Sequence, residues 1–182
     1  MPKYDCDDRE PGGPMQRTTE LTVTRAEPNI GARVDGVDLS DGGSPEIVAE
    51  LRQLLLEHHV LVVGGQDLPA TELAAFASQW GELLTHPATQ HEDTPYVQFI
   101  PGSGARQRGF GTWHSDMTWH PTPPIISMLH ARRLPDAGGD TCFVNQHLAY
   151  ETLSEEMKQA LDTASGYHSG RIFGPETPDS VH

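Results

Sequence analysis

A helix that runs directly into a short apolar strand constrains this chain more than any other stretch. Ser44 followed by Pro45 is a good helix start, because the hydroxyl can cap free amides and the proline sits where no donor is needed. Ile47, Leu51, Leu54 and Leu55 then fall on one face, which suits a helix lying against a sheet. HVLVV, residues 59–63, follows as a buried strand that Gly64 and Gly65 end.

Upstream, Leu21 and Val23 alternate with Thr22 and Thr24 as in a half-buried strand, and the glycines of GARVDGVDLS mark turns around a second one. A second helix through Leu73, Phe76, Ala77 and Trp80 stops at Gly81. YVQFI (96–100) and IISMLHARRL (125–134) read as strands, and Ser154 opens a last helix through Met157, Ala160 and Leu161. Helices early and a strand-rich centre predict a mostly β fold with flanking helices (α+β), a sheet sandwich or barrel with the helices packed outside it. Residues 1–19 are rich in Pro, Gly, Asp and Arg without periodicity and are expected to be a disordered polar tail. Residues 20–182 are expected to form one domain.

The formal net charge of −14 argues against nucleic acid or an anionic membrane surface as the partner, since both would repel the chain at long range. A small anionic substrate is still admissible, because a few local arginines can reverse the field inside a pocket. No run approaches the roughly 20 apolar residues of a membrane span, and the first residues lack the apolar core of a signal peptide, so a cytoplasmic address is expected. Cys6 in the polar tail and Cys142 in an apolar stretch read as free thiols.

The stretch that carries chemistry is GTWHSDMTWHPTPP, residues 111–124. In an extended segment, side chains two apart project to the same side, so His114 and Asp116 can reach one ion while Ser115 points away. An imidazole and a carboxylate are two thirds of the 2-His-1-carboxylate facial triad, which suits iron(II) because three ligands on one face leave three positions open. Taken alone, His-x-Asp is weak: ten histidines make such a spacing easy to obtain by accident. A zinc site built from His114, Asp116 and His120 is a second reading of the same residues.

The neighbours of the pair decide between these readings. Trp113-His114-Ser115-Asp116, then Thr118, Pro123 and Pro124, a strand, and Gly138-Gly139-Asp140-Thr141 resemble in order and spacing the signature of the TauD/TfdA family, the taurine dioxygenase-like iron(II), 2-oxoglutarate-dependent dioxygenases. GARVDGVDLS, the helix ending in HHVLVV and the helix ending in WGELLTHP are similar to that family's opening segments, so the resemblance covers about residues 21–165.

This resemblance implies a double-stranded β-helix, the cupin-like jelly roll, incomplete on the C-terminal side. It implies Fe(II) as the metal, with 2-oxoglutarate and O2 as co-substrates. The reaction would be hydroxylation of a small organic acid with release of succinate and CO2; a homo-oligomer is compatible with it. His114 and Asp116 match the two early iron ligands and would be catalytic. Thr141 matches the hydroxyl that helps hold the distal carboxylate of 2-oxoglutarate, although GGDT also reads as a tight turn whose glycines supply positive φ. His86 matches a substrate-touching histidine of the sulfonate-oxidising branch and reads equally well as a loop histidine at a helix end. His58 and His59 read as structural at a helix end, His120 as a rim or packing residue, and Trp113 and Trp119 as shields of the site.

Two departures from the family bear on activity and substrate. The family's third ligand, a histidine, and the arginine that pairs with 2-oxoglutarate lie much later than this chain extends, so a truncated, inactive homologue or interaction module is the alternative expectation. The taurine branch also carries a tyrosine and an asparagine where this chain has Thr89 and Phe110. That exchange favours a more apolar sulfonate, sulfate ester or carboxylate over taurine.

Overall fold

The computed structural model describes residues 21–86, 91–100 and 112–182. The predicted tail at 1–19, Cys6, Thr89 and Phe110 lie outside the described residues. Strands β1 (Thr22–Arg25) and β2 (Ala32–Asp35) pair antiparallel, with Val23 opposite Val34. A crossover through α1 (Pro45–His58) then brings β3 (Leu61–Val63) parallel to β2, giving a three-stranded sheet of order β1-β2-β3. Parallel neighbours need such a crossover, because a two-residue turn cannot return the chain to the same end of the sheet.

The termini of α1 follow from local chemistry. The Ser44 hydroxyl accepts from the Ile47 amide at 3.3 Å and Pro45 takes the first position. At the other end His59 adopts a left-handed φ of 64° and its amide donates to the Leu55 carbonyl at 2.7 Å. Buried Val34, Val37, Leu39, Val48, Leu51, Leu68, Phe76 and Trp80 form one core between the sheet, α1 and α2 (Ala70–Ser78), and Ile47, Leu54 and Leu55 pack against it. The helix face read from the sequence is the one that is buried. β1 differs: its four residues are exposed, and Leu21 just before it is the residue that meets the core.

The Gln66 side chain pins the loop after β2. Its amide nitrogen donates to the carbonyls of Val37 and Gly64 at 2.7 and 2.8 Å, and its oxygen accepts from the Leu39 amide at 2.9 Å. Three main-chain groups that would otherwise be half-buried without partners are thereby satisfied.

Two expected strands are not strands. Over 96–100 the structure is irregular, closed by a His91 amide to Val97 carbonyl bond of 2.7 Å and an isolated bridge between His91 and Thr94. Residues 125–134 keep the alternation of a strand, with Ile126 and Met128 against the core and Ile125, Ser127 and Leu129 outward, but no ladder forms among the described residues. Alternation records which face is buried; a ladder also requires a neighbour with free amides and carbonyls. Side chains hold this segment instead: His130 Nε2 lies 3.3 Å from the Gln66 carbonyl, and Arg132 donates to Asp67 at 2.7 Å and to the Leu68 carbonyl at 3.2 Å.

After it come short helices α3 (Gln146–Glu151) and α4 (Glu155–Leu161), each capped at its N-terminus by a side chain, Asn145 and Ser154. A two-stranded antiparallel hairpin follows, β4 (Tyr167–Ser169) with β5 (Asp179–Val181). The fold is therefore α+β with few strands; among the described residues helix outweighs strand, which corrects the mostly β expectation. None of the described helices is long and apolar enough to cross a membrane.

Candidate active site

The turn-rich segment 112–120 and the extended segment 125–134 meet at one carboxylate. His114 Nε2 lies 3.4 Å from Asp116 Oδ1, and the two side chains are 50% and 51% exposed. His114 Nδ1 sits 2.8 Å from the Thr112 carbonyl, which can only accept, so Nδ1–H donates there and Nε2 is the nitrogen that faces Asp116. The imidazole and the carboxylate thus present Nε2 and Oδ1 side by side, where both could ligate one cation. Ligands at adjacent octahedral positions, each about 2.1 Å from a metal, stand about 3 Å apart, so this pair fits one ion. Ser127 Oγ donates to Asp116 Oδ2 at 2.6 Å, which leaves Oδ1 for that ion.

Met117, with φ of 50°, turns the chain immediately after the pair, and its carbonyl accepts from the His120 amide at 2.8 Å. His120 Nδ1 is occupied by Thr122, 2.7 Å from its carbonyl and 3.1 Å from its amide, so His120 folds onto its own turn. No group of three His, Cys, Asp or Glu able to hold a metal occurs among the described residues, and the three-ligand zinc arrangement is therefore not assembled there.

Beside the pair, Thr85, His86, Trp119, Phe173 and the 174–178 loop line an open depression of about 500 Å³. The His86 ring meets Phe173 edge-on at 4.8 Å and Trp119 at 6.5 Å, and Trp119 meets Phe173 at 5.7 Å. Burial lowers the His86 pKa, and the negative charge of nearby Asp116 opposes that shift. His86 therefore lies within electrostatic range of Asp116. Trp119 is buried and lines the depression, whereas Trp113 is 70% exposed.

Thr141 follows a turn in which Gly138 and Gly139 have φ of 75° and 78°, values only glycine adopts freely, and it is exposed. Cys142 is a free, exposed thiol. His58 is buried and its carbonyl accepts from the Gly31 amide at 2.8 Å, while His59 stacks on His147 with ring centres 5.5 Å apart; neither faces the site. Sequence reasoning missed Ser127 and Phe173. The alternation of 125–134 places Ser127 opposite Ile126 and Met128, but which partner it meets depends on the Met117 turn, and nothing local marks Phe173.

The family model described as "Taurine catabolism dioxygenase TauD, TfdA family" matches residues 19–178. An alkylsulfatase of Acinetobacter baylyi is 34% identical over 155 residues, covering 84% of this chain and 48% of that protein. An alpha-ketoglutarate-dependent sulfate ester dioxygenase of Pseudomonas putida is 32% identical over 152 residues, covering 82% of this chain and 50% of that protein. The crystal structure of a putative alpha-ketoglutarate-dependent taurine dioxygenase from Burkholderia xenovorans superposes with a TM-score of 0.78 at 32% identity, covering 90% of this chain and 59% of that one. The chain thus spans about half the length of the curated relatives it matches.

Proposed function

Because the chain belongs to the taurine dioxygenase-like TauD/TfdA family, we propose that its site is an iron(II), 2-oxoglutarate-dependent dioxygenase centre acting on a small organic acid. The substrate class is a sulfate ester, sulfonate or carboxylate with an apolar body, and the names of the two curated relatives favour the sulfate ester. The observation that carries this reading is the 3.4 Å approach of His114 Nε2 to Asp116 Oδ1, close enough for both to ligate one ion.

When bound, iron(II) with 2-oxoglutarate and O2 supplies the oxidising power, and succinate and CO2 are the co-products. The chain's own residues supply binding and orientation. His114 presents a lone pair whose tautomer the Thr112 carbonyl fixes. Asp116 presents one oxygen while Ser127 occupies the other. Half-exposure of both ligands leaves room for a chelating co-substrate. Thr141 offers a hydroxyl to the distal carboxylate of 2-oxoglutarate. His86 faces the depression in which the substrate acid would lie, and Trp119 and Phe173 border its apolar body.

In this reading the extended segment 125–134 keeps one face on the core and turns Ser127 toward the His114–Asp116 pair. The strong negative charge fits a soluble protein that does not engage nucleic acid or membrane.

The test is anaerobic addition of iron(II) and 2-oxoglutarate to the full chain, which should raise a visible charge-transfer band that His114→Ala abolishes. A chain that binds neither, under conditions where a full-length relative saturates, removes the proposal.

A further inference from the structure

The β4–β5 hairpin touches both halves of the site, and its two faces do so differently. On one face Ser180 Oγ donates to the Thr118 carbonyl at 2.8 Å, and Gly170 packs so closely on Trp119 that a Cβ there would stand 3.0 Å from the indole. Thr118 lies two positions after Asp116, so this face docks on the turn that carries the metal pair. On the other face a single carboxylate collects donors at the base of the loop. Asp179 Oδ1 accepts from Ser169 Oγ at 2.7 Å, and Oδ2 accepts from the Tyr167 hydroxyl and lies 3.4 Å from an Arg171 guanidinium nitrogen. The Ser169 oxygen in turn accepts from the Arg171 amide at 3.4 Å.

That last bond reaches the first residue of the short 3-10 turn Arg171–Phe173. The turn is closed by the Phe173 amide on the Gly170 carbonyl at 2.9 Å and the Gly174 amide on the Arg171 carbonyl at 3.1 Å. Phe173 leaves it with its ring against His86. A three-residue turn has too few internal bonds to hold an aromatic side chain in place, and Phe173 is itself exposed enough to swing outward. At the base of the turn Asp179 is only 20% exposed and each of its oxygens has a donor.

We propose that Asp179 is a positioning residue that holds Phe173 against His86 by tying together Tyr167, Ser169 and Arg171 at the base of the 167–181 hairpin, and so sets the apolar wall beside the His114–Asp116 pair. The inference rests on the dioxygenase reading for its functional meaning and on the hairpin contacts for its geometry. Asp179 would thereby affect how the organic substrate is held and leave the metal alone, since none of its bonds reaches His114, Asp116 or Ser127.

The test is an NMR comparison of the His86 ring protons in the full-length chain carrying labelled histidine, with Mn(II) affinity measured on the same samples. Phe173→Leu removes the ring current felt by His86 and defines the full displacement of those resonances. Asp179→Asn should displace them in the same direction while buried His58 stays in place and Mn(II) affinity is retained. If the asparagine variant fails to fold, Tyr167→Phe removes one donor and is judged by the same criteria. Unmoved His86 resonances in Asp179→Asn, or in Phe173→Leu, would overturn the proposal, as would loss of Mn(II) binding in step with the displacement. A wild-type chain that binds no Mn(II) defeats the dioxygenase reading instead, and the His86 resonances still decide the role of Asp179.

Discussion

Replacing Ser127 with alanine deletes the hydroxyl that donates to Asp116 Oδ2 at 2.6 Å and changes little else, because Ser127 is exposed and faces away from the core. A hydrogen bond to a charged group is worth about 1.5–3 kcal/mol. Asp116 is 51% exposed, so water can take the vacated place, and we discount that range to about 1 kcal/mol. The loss should appear mainly as a looser ligand. A carboxylate free to rotate offers Oδ1 to the metal for less of the time, and about 1 kcal/mol corresponds to roughly fivefold weaker metal binding. The assay is Mn(II) titration followed by loss of the free-ion electron paramagnetic resonance signal, which needs no turnover and no known substrate. Ser127→Thr keeps the hydroxyl and should stay near the wild type, whereas His114→Ala should abolish binding. Equal Mn(II) affinity for wild type and Ser127→Ala would refute the idea that this bond orients the carboxylate. A drop in urea stability as large as the drop in affinity would also refute it, by assigning the bond to the fold instead.

Three further outcomes follow from the packing and the charges. Trp80 is buried with Arg52 over its ring at 5.0 Å, yet its indole N–H has no acceptor among the described residues, so Trp80→Phe should leave urea stability nearly unchanged while Trp80→Ala costs about 3–5 kcal/mol; equal losses would count against the orphaned N–H. At Gly170 a Cβ would collide with the Thr177 side chain and stand 2.7 Å from the Pro178 carbonyl, so Gly170→Ala should dislodge the hairpin and raise acrylamide quenching of Trp119; a wild-type quenching profile would refute the contact. The Tyr167 and Ser169 hydroxyls hold the Asp179 carboxyl below its usual range, and Asp179 raises the Tyr167 phenol above its own. The Asp179 contribution is therefore present above the ordinary carboxylate range and lost as pH falls through the depressed value, whereas the Tyr167 contribution is full below the ordinary phenol value and lost as pH rises through the raised one. Asp179→Asn should flatten both flanks of a melting temperature against pH profile, and flanks identical to the wild type would contradict the pairing.

The parts of the molecule legible in its sequence are those fixed by neighbours in the chain. Ser44 and Pro45 start α1, the spacing of Ile47, Leu51, Leu54 and Leu55 gives its buried face, and the glycines at 64 and 65 end β3, all from local rules. His114 and Asp116 are close in space partly because they are close in sequence. Residues 96–100 and 125–134 carry apolar, strand-forming composition, but a ladder depends on a distant partner that composition does not report. The same limit hid Phe173 and Ser127. Each reaches the site through long-range contacts, with His86 in one case and Asp116 in the other, and neither sits in a motif.

The stretch from Ile126 to Met128 gives the site a mechanical dependence on the interior. Two of its three side chains pack against the hydrophobic cluster and the one between them donates to the carboxylate, so three consecutive residues link the interior to Asp116. A substitution that repacks the interior near Ile126 would be transmitted, by no more than the geometry of one extended tripeptide, to the aim of Asp116. Changes that tighten the interior and changes that re-aim Asp116 therefore act here on the same few ångströms of backbone.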